Sequence, residues 1–356
     1  MIRAMTVLRP GFGFSVTPGP VTGVAEESVR AEAMGYDRIG IWDSPALFRD
    51  PWLTIGAVAA QTSRVRIGTW VTNPLTRHPL VQAAAAATVD DVAPGRVYVG
   101  IGAGGTGVWH LGLPTARQAE LEAYTVALRE LLDRGRTTYR GASLELPWAG
   151  PRQVPVIMSA HGERSLELAG RVADGVIVGL GIAPEVVASA LERVERGARQ
   201  AGRRIEDLEV WFTCFWWVDP VPGAARAAGA WSATAFALHF AASGVDNKFV
   251  PEELRGPLLE VGRSYDLHSH GHPTEEQKAA YVDLADRLGV GEYLRRRFMF
   301  AGTPAEVEEQ VRAAMRAGAP SFDGAIDADL PEHERRITAW ADHVLPRFAA
   351  AGEETR

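Results

Sequence analysis

The feature that most constrains this chain is a repeated alternation. Short apolar, β-branched runs are separated by longer amphipathic stretches along nearly all of its 356 residues. The runs are Gly11 to Val16, Arg38 to Trp42, Val65 to Thr72, Val97 to Ile101, Val154 to Ser159, Gly175 to Val178, Leu208 to Val218 and Ser321 to Ile326. Most are continuously apolar, the pattern of parallel strands covered on both faces. Between them, Leu121, Tyr124, Thr125, Leu128, Leu131 and Leu132 fall on one helical stripe, as do Val186, Val187, Ala190, Leu191 and Val194, and later Val307, Val311, Ala314 and Met315. Pro51, Pro79, Pro184 and Pro304 sit at helix beginnings, where a missing N–H costs little, and Gly35, Gly95, Gly135, Gly202 and Gly318 follow helical runs. About eight strand–helix units predict an α/β fold, a closed (β/α)8 TIM barrel. The competing doubly wound open sheet needs a nucleotide-binding turn after its first strand, and Val16-Thr17-Pro18-Gly19-Pro20 is not one.

Two segments break the rhythm. Thr137 to Gly150 reads as a small hairpin or extended excursion. Residues 220–297 are too long for one helix and a loop, and predict a helical insertion before the last strand that caps the barrel mouth. No linker marks a second domain, so residues 1–356 are expected to form one. Acidic residues outnumber basic ones by 44 to 37, for a net charge of -7, which argues against a general nucleic-acid partner. The run Arg295, Arg296, Arg297 reads as a solvated helix face. The single cysteine, Cys214, lies in an apolar strand-like run and is expected to be a buried structural thiol; with no internal disulfide possible, a reducing, cytoplasmic setting is expected. No signal pattern and no membrane-length apolar segment is seen, so a soluble protein is expected.

Barrel chemistry sits at the C-terminal ends of the strands. Those ends are Trp42-Asp43-Ser44-Pro45, Thr69 to Pro74, the glycine-rich stretch 100–107, Ser159 to Ser165 and Val178 to Gly181. The glycine-rich stretch is not a Walker motif, because no Lys-Ser or Lys-Thr follows. Ala160-His161-Gly162-Glu163-Arg164-Ser165 leads from a strand straight into a helix, which makes it an anion site or an ordinary helix cap. Trp42, Trp70 and Trp109 line an apolar pocket or belong to the core. The cluster from Tyr265 to Pro273 contains His268, His270 and His272. It lies in an irregular insertion without an evident set of partner carboxylates, so no metal site is expected. A substrate-facing lid, with His268 and His270 as candidate proton donors, competes with a solvated loop.

Taken in order, Gly35-Tyr36-Asp37-Arg38-Ile39-Gly40-Ile41-Trp42-Asp43, Gly68-Thr69-Trp70-Val71-Thr72-Asn73-Pro74 with Arg77-His78-Pro79, Gly95-Arg96-Val97 to Gly105, Leu166 to Gly170 with Ala173-Asp174-Gly175-Val176, Tyr265-Asp266 to His272, and Gly302-Thr303-Pro304 resemble the luciferase-like superfamily. The similar branch is the deazaflavin (coenzyme F420) one, typified by methylenetetrahydromethanopterin reductase. The resemblance implies F420, or alternatively FMN, bound at the barrel mouth. It implies a bulge with a non-prolyl cis peptide at Trp70 and Val71 behind the ring, and Thr72 and Asn73 flanking it. Gly104 and Gly105 would line the fourth-strand turn, and Ala160, His161, Gly162, Glu163, Arg164, Gly179 and Leu180 would hold the phosphate end. Two positions depart from the pattern. Ser44 stands where related enzymes often have a histidine, and Gly105 where some have a carboxylate. Ser44 can hydrogen-bond but is a poor general acid; Asp43 is the nearest ionisable group, as a catalytic or a structural carboxylate. The implied activity is hydride transfer between F420 and a small, apolar or aromatic substrate. The alternatives are an FMN-dependent monooxygenase and a flavin-binding protein without turnover. A homodimer through outer helices is also implied.

Overall fold

The computed structural model describes residues 9–266, 273–326 and 330–349. In chain order the first half contains β1 (Gly11–Val16), α1 (Val21–Met34), β2 (Arg38–Ile41), α2 (Pro51–Gln61), β3 (Arg66–Thr72), α3 (Pro79–Val92), β4 (Val97–Ile101), a short α4 (Thr106–Trp109), α5 (Gln118–Arg134) and the strands β5 (Arg136–Tyr139) and β6 (Ala142–Glu145). The second half contains β7 (Val156–Ala160), α6 (Glu163–Val172), β8 (Gly175–Val178), α7 (Pro184–Gln200), β9 (Glu209–Val218), α8 (Ala224–Ala235), α9 (Ala237–Ser243), α10 (Glu252–Arg263), α11 (Glu275–Arg287), α12 (Gly291–Phe298), β10 (Met299–Gly302), α13 (Pro304–Arg316), β11 (Ser321–Ile326) and α14 (Leu330–His343).

Eight strands close a parallel ring in the order β11-β1-β2-β3-β4-β7-β8-β9, with β9 pairing β11 to complete it. This is the expected (β/α)8 barrel, and each expected run supplies one strand. The punctuation works as the chemistry requires. Pro51, Pro79, Pro184 and Pro304 each occupy the first turn of a helix. Thr303 and Glu306 form a reciprocal capping box on α13. Gly35 and Gly135 end α1 and α5 in left-handed conformation. The 137–150 excursion is an antiparallel hairpin, β5 with β6.

Side chains of the barrel strands alternate between two cores. Phe12, Phe14, Ile39, Ile41, Val97, Val99, Val176 and Val178 pack outward under the helices. Trp70, Tyr98, Ile157, Ile177 and Trp211 fill the interior. At the centre of that interior is a cation. Arg38 is fully buried, with its guanidinium 4.4 Å from the Trp70 ring, 4.4 Å from Tyr98 and 3.9 Å from Trp211. Glu209 accepts from Arg38 at 3.2 Å, from Arg66 at 2.6 Å and from Trp211 Nε1 at 2.6 Å. Burial would raise the Glu209 carboxyl, but Arg38 and Arg66 prevail and hold it down at about 2.

Three observations refine the reading of the sequence. The insertion is helical, α8 to α12, with its own apolar cluster around Phe240, Leu258, Val261, Leu294 and Phe298. It ends in a strand that the sequence pattern did not signal. β10 pairs parallel with Phe215–Val218, so β9 serves β8 and β11 with its first part and β10 with its last. Arg295–Arg297 is not a uniformly solvated face: Arg297 is 1% exposed, because its head donates to the carbonyls of Leu180, Lys248 and Phe249. Cys214 is buried as expected, and burial pushes its thiol well up. Among the described residues no helix is long and apolar enough to cross a membrane.

Asp323 of β11 is fully buried in the barrel interior, and burial lifts its carboxyl to about 7, with Arg38 and then the Ser15 hydroxyl pulling the other way. In the unfolded chain it releases its proton near pH ~4. Between about pH 4 and pH 7 the folded protein therefore keeps a proton the unfolded chain has lost, and this group's contribution to stability falls as pH rises through that window. Asp323→Asn should gain in Tm relative to the parent as pH is raised from about 4 to about 8; a gap that does not change with pH would show the carboxyl is not held protonated.

Candidate active site

The C-terminal ends of β2, β3 and β4 are tied together by polar side chains. Asp43, just past β2, has no exposed side-chain surface. Its Oδ2 accepts from Thr72 Oγ1 at 2.6 Å and from Arg77 Nη1 at 2.6 Å. Arg77 also donates to Asp50 at 2.7 Å, and Asp50 caps α2 through Trp52 N and Leu53 N. Asp43 thus joins β2 to the turn before α3, and its Oδ1 is buried without a partner among the described residues. Ser44 shares a 2.7 Å hydrogen bond with Thr106 at the start of α4, which brings the second strand end to the glycine-rich turn. In that turn Gly104 is left-handed, while Gly105 faces open space.

The peptide between Trp70 and Val71 is cis, and the pairing of β3 with β4 shifts register between Thr69 and Thr72. Trp70 turns inward onto Arg38, whereas Val71 lies half-buried at the strand end. Asn73 Oδ1 accepts from Leu75 N at 2.9 Å and Thr76 N at 3.0 Å, which fixes the turn into α3.

On the β7 and β8 side, Ala160 is buried and Gly162 is the residue before α6. His161 N and Gly162 N both donate to Ser165 Oγ at 3.2 Å, and Glu163 N donates to Asn247 O of the insertion at 3.3 Å. The Glu163 carboxylate turns away to Arg193, 2.9 Å distant. Arg164 is exposed, with its carbonyl accepting from Gln118. The His161 ring meets Ser159 Oγ at 3.1 Å and lies beside Phe236 and His239. It occupies the room left by Gly179, where a Cβ would come within 2.2 Å of the ring. Burial, then the Lys248 charge, lowers His161 to about 4, so at neutral pH it is an uncharged imidazole. The Leu180 carbonyl accepts from Arg297 Nε at 2.7 Å.

The expected residues therefore form two neighbouring groups, joined by a strip across four strand ends. A Cβ on Gly102 would lie 3.0 Å from Val71 and 3.5 Å from Ser159, so Val71, Gly102, Ser159, His161 and Gly179 succeed one another from β3 to β8. His268 and His270 lie outside the described residues. Arg77, Thr106 and Ser159 entered the sequence reading only inside longer runs with no role of their own, Arg297 only as part of a basic run read as a solvated face, and Lys248 not at all. For Lys248 a signal existed: it and Lys278 are the only lysines in the chain.

The family and the fold have known counterparts. The family described as luciferase-like monooxygenase matches residues 4–321, and the chain belongs to that family. It is 29% identical to the 5,10-methylenetetrahydromethanopterin reductase of Methanopyrus kandleri over 327 residues, 83% of this chain and 86% of that protein. It is 30% identical to the reductase of the same name from Methanolobus tindarius over 57% of this chain, and 34% identical to the F420-dependent glucose-6-phosphate dehydrogenase of Nakamurella multipartita, also over 57%. Those two matches span 64% and 65% of the relatives' lengths. Among solved structures, the coenzyme F420 dependent tetrahydromethanopterin reductase from Methanopyrus kandleri superposes with a TM-score of 0.75 at 22% identity, covering 96% of this chain and all of that one.

Single substitutions separate the buried Asp43–Arg77 ion pair from the neutral Ser44–Thr106 contact. Arg77→Met leaves a buried carboxylate with one hydroxyl donor and is expected to cost about 2–4 kcal/mol of stability. Ser44→Ala removes one neutral hydrogen bond and is expected to cost about 1 kcal/mol. Denaturant midpoints of the two variants measure both.

Proposed function

We propose that the chain is an F420-dependent oxidoreductase that moves a hydride between this deazaflavin and a small organic substrate. The observation that carries this reading is the strip from Val71 to Gly179 along four adjacent strand ends, with small or apolar groups at one end and a helix N-terminus at the other. A flat ring bearing an anionic tail has those two needs. The donor set fits as well. Trp42 Nε1 at the end of β2 is buried without a partner among the described residues, a hydrogen-bond donor available to a bound ring or substrate. The relatives' names support F420, and the 86% coverage of one reductase makes the likeness more than local.

When bound, F420 supplies a two-electron ring that accepts or donates hydride, and the chain supplies position and a dry, preorganised surround. Val71, Gly102 and Asn73 would back and flank the ring. To hold the anionic end, Gly162 N and Glu163 N would exchange their present acceptors, Ser165 Oγ and Asn247 O, for the ligand. His161, neutral and bonded to Ser159, adds no charge of its own to the middle of the strip. Trp42 and Phe236, partly buried against the cluster that contains Phe215, offer aromatic surface beside the insertion, which favours an apolar substrate face. Ser44 and Gly105 leave the mouth without the histidine and carboxylate of the related pattern, so a bound substrate that needs no strong protein acid is favoured.

A second copy of the chain is the expected partner. α2 and α3 pack side by side and present Leu53, 74% exposed, and Val81, 56% exposed, among small residues. An apolar face of this kind suits an isologous dimer. Molar mass in solution should be twice that of one chain, and Leu53→Glu with Val81→Glu should halve it; a mass unchanged by the pair would remove this face from consideration.

The cofactor is tested by fluorescence titration of the apo protein with F420 and FMN, each oxidised and reduced. Tight binding of F420 with weak binding of FMN is the expected result. Preference for reduced FMN, followed by oxygen consumption, would replace the reading with a monooxygenase. Binding of neither would end the assignment of the strip.

A further inference from the structure

The barrel interior holds an acid one inward step beneath the mouth. Phe322 on β11, and Phe212 and Cys214 on β9, pack outward under the helices, so Asp323, Ala325, Thr213 and Phe215 face inward. Ala325 and Phe215 already belong to the apolar cluster of the insertion, which places Asp323 and Thr213 just below it. Asp323 and Thr213 are register partners, with backbones about 5 Å apart. On its other side Asp323 pairs with Gly13 of β1. The Trp211 ring covers Gly11 and Gly13, where an added Cβ would meet it at 3.2 Å, so the interior is closed below. Ser15 and Asp323 have no exposed surface, whereas Thr213 is only half-buried, and its open side faces the mouth.

The polar atoms here are incompletely matched. Ser15 Oγ, both carboxyl oxygens of Asp323, and Nε and Nη2 of Arg38 are buried without a hydrogen-bond partner among the described residues. The Ser15 hydroxyl is near enough to bear on the Asp323 carboxyl, yet no hydrogen bond is completed between them. The scaffold does not require an acid at this place. Arg38 already has Glu209 as its anion, and Ile157 and Ile177 fill other interior positions with apolar side chains. The titratable groups that face Asp323 are Arg38 from β2, Tyr98 from β4 and Cys214 from β9, with Glu209 and Arg66 behind Arg38; β1 contributes only the Ser15 hydroxyl. Burial pushes Tyr98 and Cys214 well up, so both are neutral and Arg38 supplies the facing charge. With its carboxyl at about 7, Asp323 can hold a proton and give it up near neutral pH.

We propose that Asp323 is an internal proton source for the site, passing its proton through the Thr213 hydroxyl to a substrate held at the mouth, and that Arg38 faces the carboxylate left behind. The inference rests on the hydride-transfer reading for the identity of the reaction, and it names the substrate class as a carbonyl or imine. When such a substrate receives hydride at carbon, the C=O or C=N electron pair moves to the heteroatom. That atom takes the Thr213 proton, Thr213 takes the Asp323 proton, and Asp323 is reprotonated from solvent after product leaves. Oxidation of an alcohol or amine runs the same transfers backwards. Asp323 is thus a positioning residue that acts through Thr213, in a mouth where Ser44 and Gly105 supply no acid.

The test uses the full chain with Asp323→Asn, Thr213→Val and Thr213→Ser. Infrared difference spectra of the apo protein between acid and alkaline pH should show a protonated carboxyl band that titrates near pH 7 and is missing in Asp323→Asn. Transfer to heavy water should shift that band, about tenfold or more slowly in Thr213→Val than in the parent, with Thr213→Ser close to the parent. With reduced F420 and benzaldehyde as the probe acceptor, kcat of the parent should fall as pH rises through about 7. Asp323→Asn and Thr213→Val should lower kcat by about tenfold or more and flatten that profile, with KM changed by less than about twofold, and Thr213→Ser should restore it. A band that survives in Asp323→Asn overturns the proposal, as does exchange equally fast in Thr213→Val and the parent. Equal losses in Thr213→Val and Thr213→Ser with the pH profile unchanged assign the two residues to the scaffold and also overturn it. If the parent does not reduce the probe, the hydride-transfer reading loses its support, and the infrared exchange alone decides this one. Should Asp323→Asn fail to fold, the band of the parent and its exchange in the two Thr213 variants decide it.

Discussion

A closed ring of parallel strands has no edge to protect, but it must fill its own interior, and the rest of this structure follows from how it does so. The filling is aromatic and charged at once. Trp70, Tyr98 and Trp211 surround the Arg38 guanidinium, and Glu209 draws Arg38, Arg66 and Trp211 Nε1 to one carboxylate oxygen. Such an arrangement compensates a cation deep in a low-dielectric space by ring faces and the Glu209 carboxylate, while its Nε and Nη2 have no hydrogen-bond partner among the described residues. It also fixes where Trp70 goes, and with it the bulged end of β3. The inward turn of Trp70 leaves Val71, not the tryptophan, at the mouth.

The same economy governs the upper rim. β9 pairs with β8 and β11 along the barrel and with β10 beyond it, so the insertion enters and leaves along one strand. Arg297 then spends its donors on carbonyls of β8's end and of the insertion loop. Five helices are docked by a strand pairing and one buried guanidinium, and their loop is brought to the N-terminus of α6. The mouth is thus shaped by two separate stretches of chain that have no local reason to meet.

Polar groups at the mouth divide by role. Asp43, Thr72, Arg77 and Asp50 bind one strand end to the next helix, and Ser44 with Thr106 binds it to the glycine-rich turn. These are positioning contacts, and they explain how a site can keep its shape around a serine and a glycine where related patterns carry acids. His161, Ser159 and the α6 N-terminus make the other group, in which charge is placed by backbone and by the insertion.

The barrel was legible in the sequence because its signal is local and repeated. Runs such as Val97 to Ile101, the prolines at Pro51, Pro79, Pro184 and Pro304, and the left-handed glycines each act within a few residues of themselves, and their sum admits few folds. The strand ends were legible for the same reason: a barrel places its chemistry where strands stop. What only the tertiary structure decided is pairing at a distance. Nothing near Asp43 announces Arg77, nothing in Met299–Gly302 announces a strand, and Arg297 sits in a basic run that a helix would normally give to solvent. Lys248 is buried within reach of the Arg297 charge, with its ammonium on His239 O and Ser243 Oγ, and nothing in its own run announces that. Charge, unlike hydrophobic period, takes its energy from neighbours that the chain brings together from far apart, and those neighbours are not written beside it.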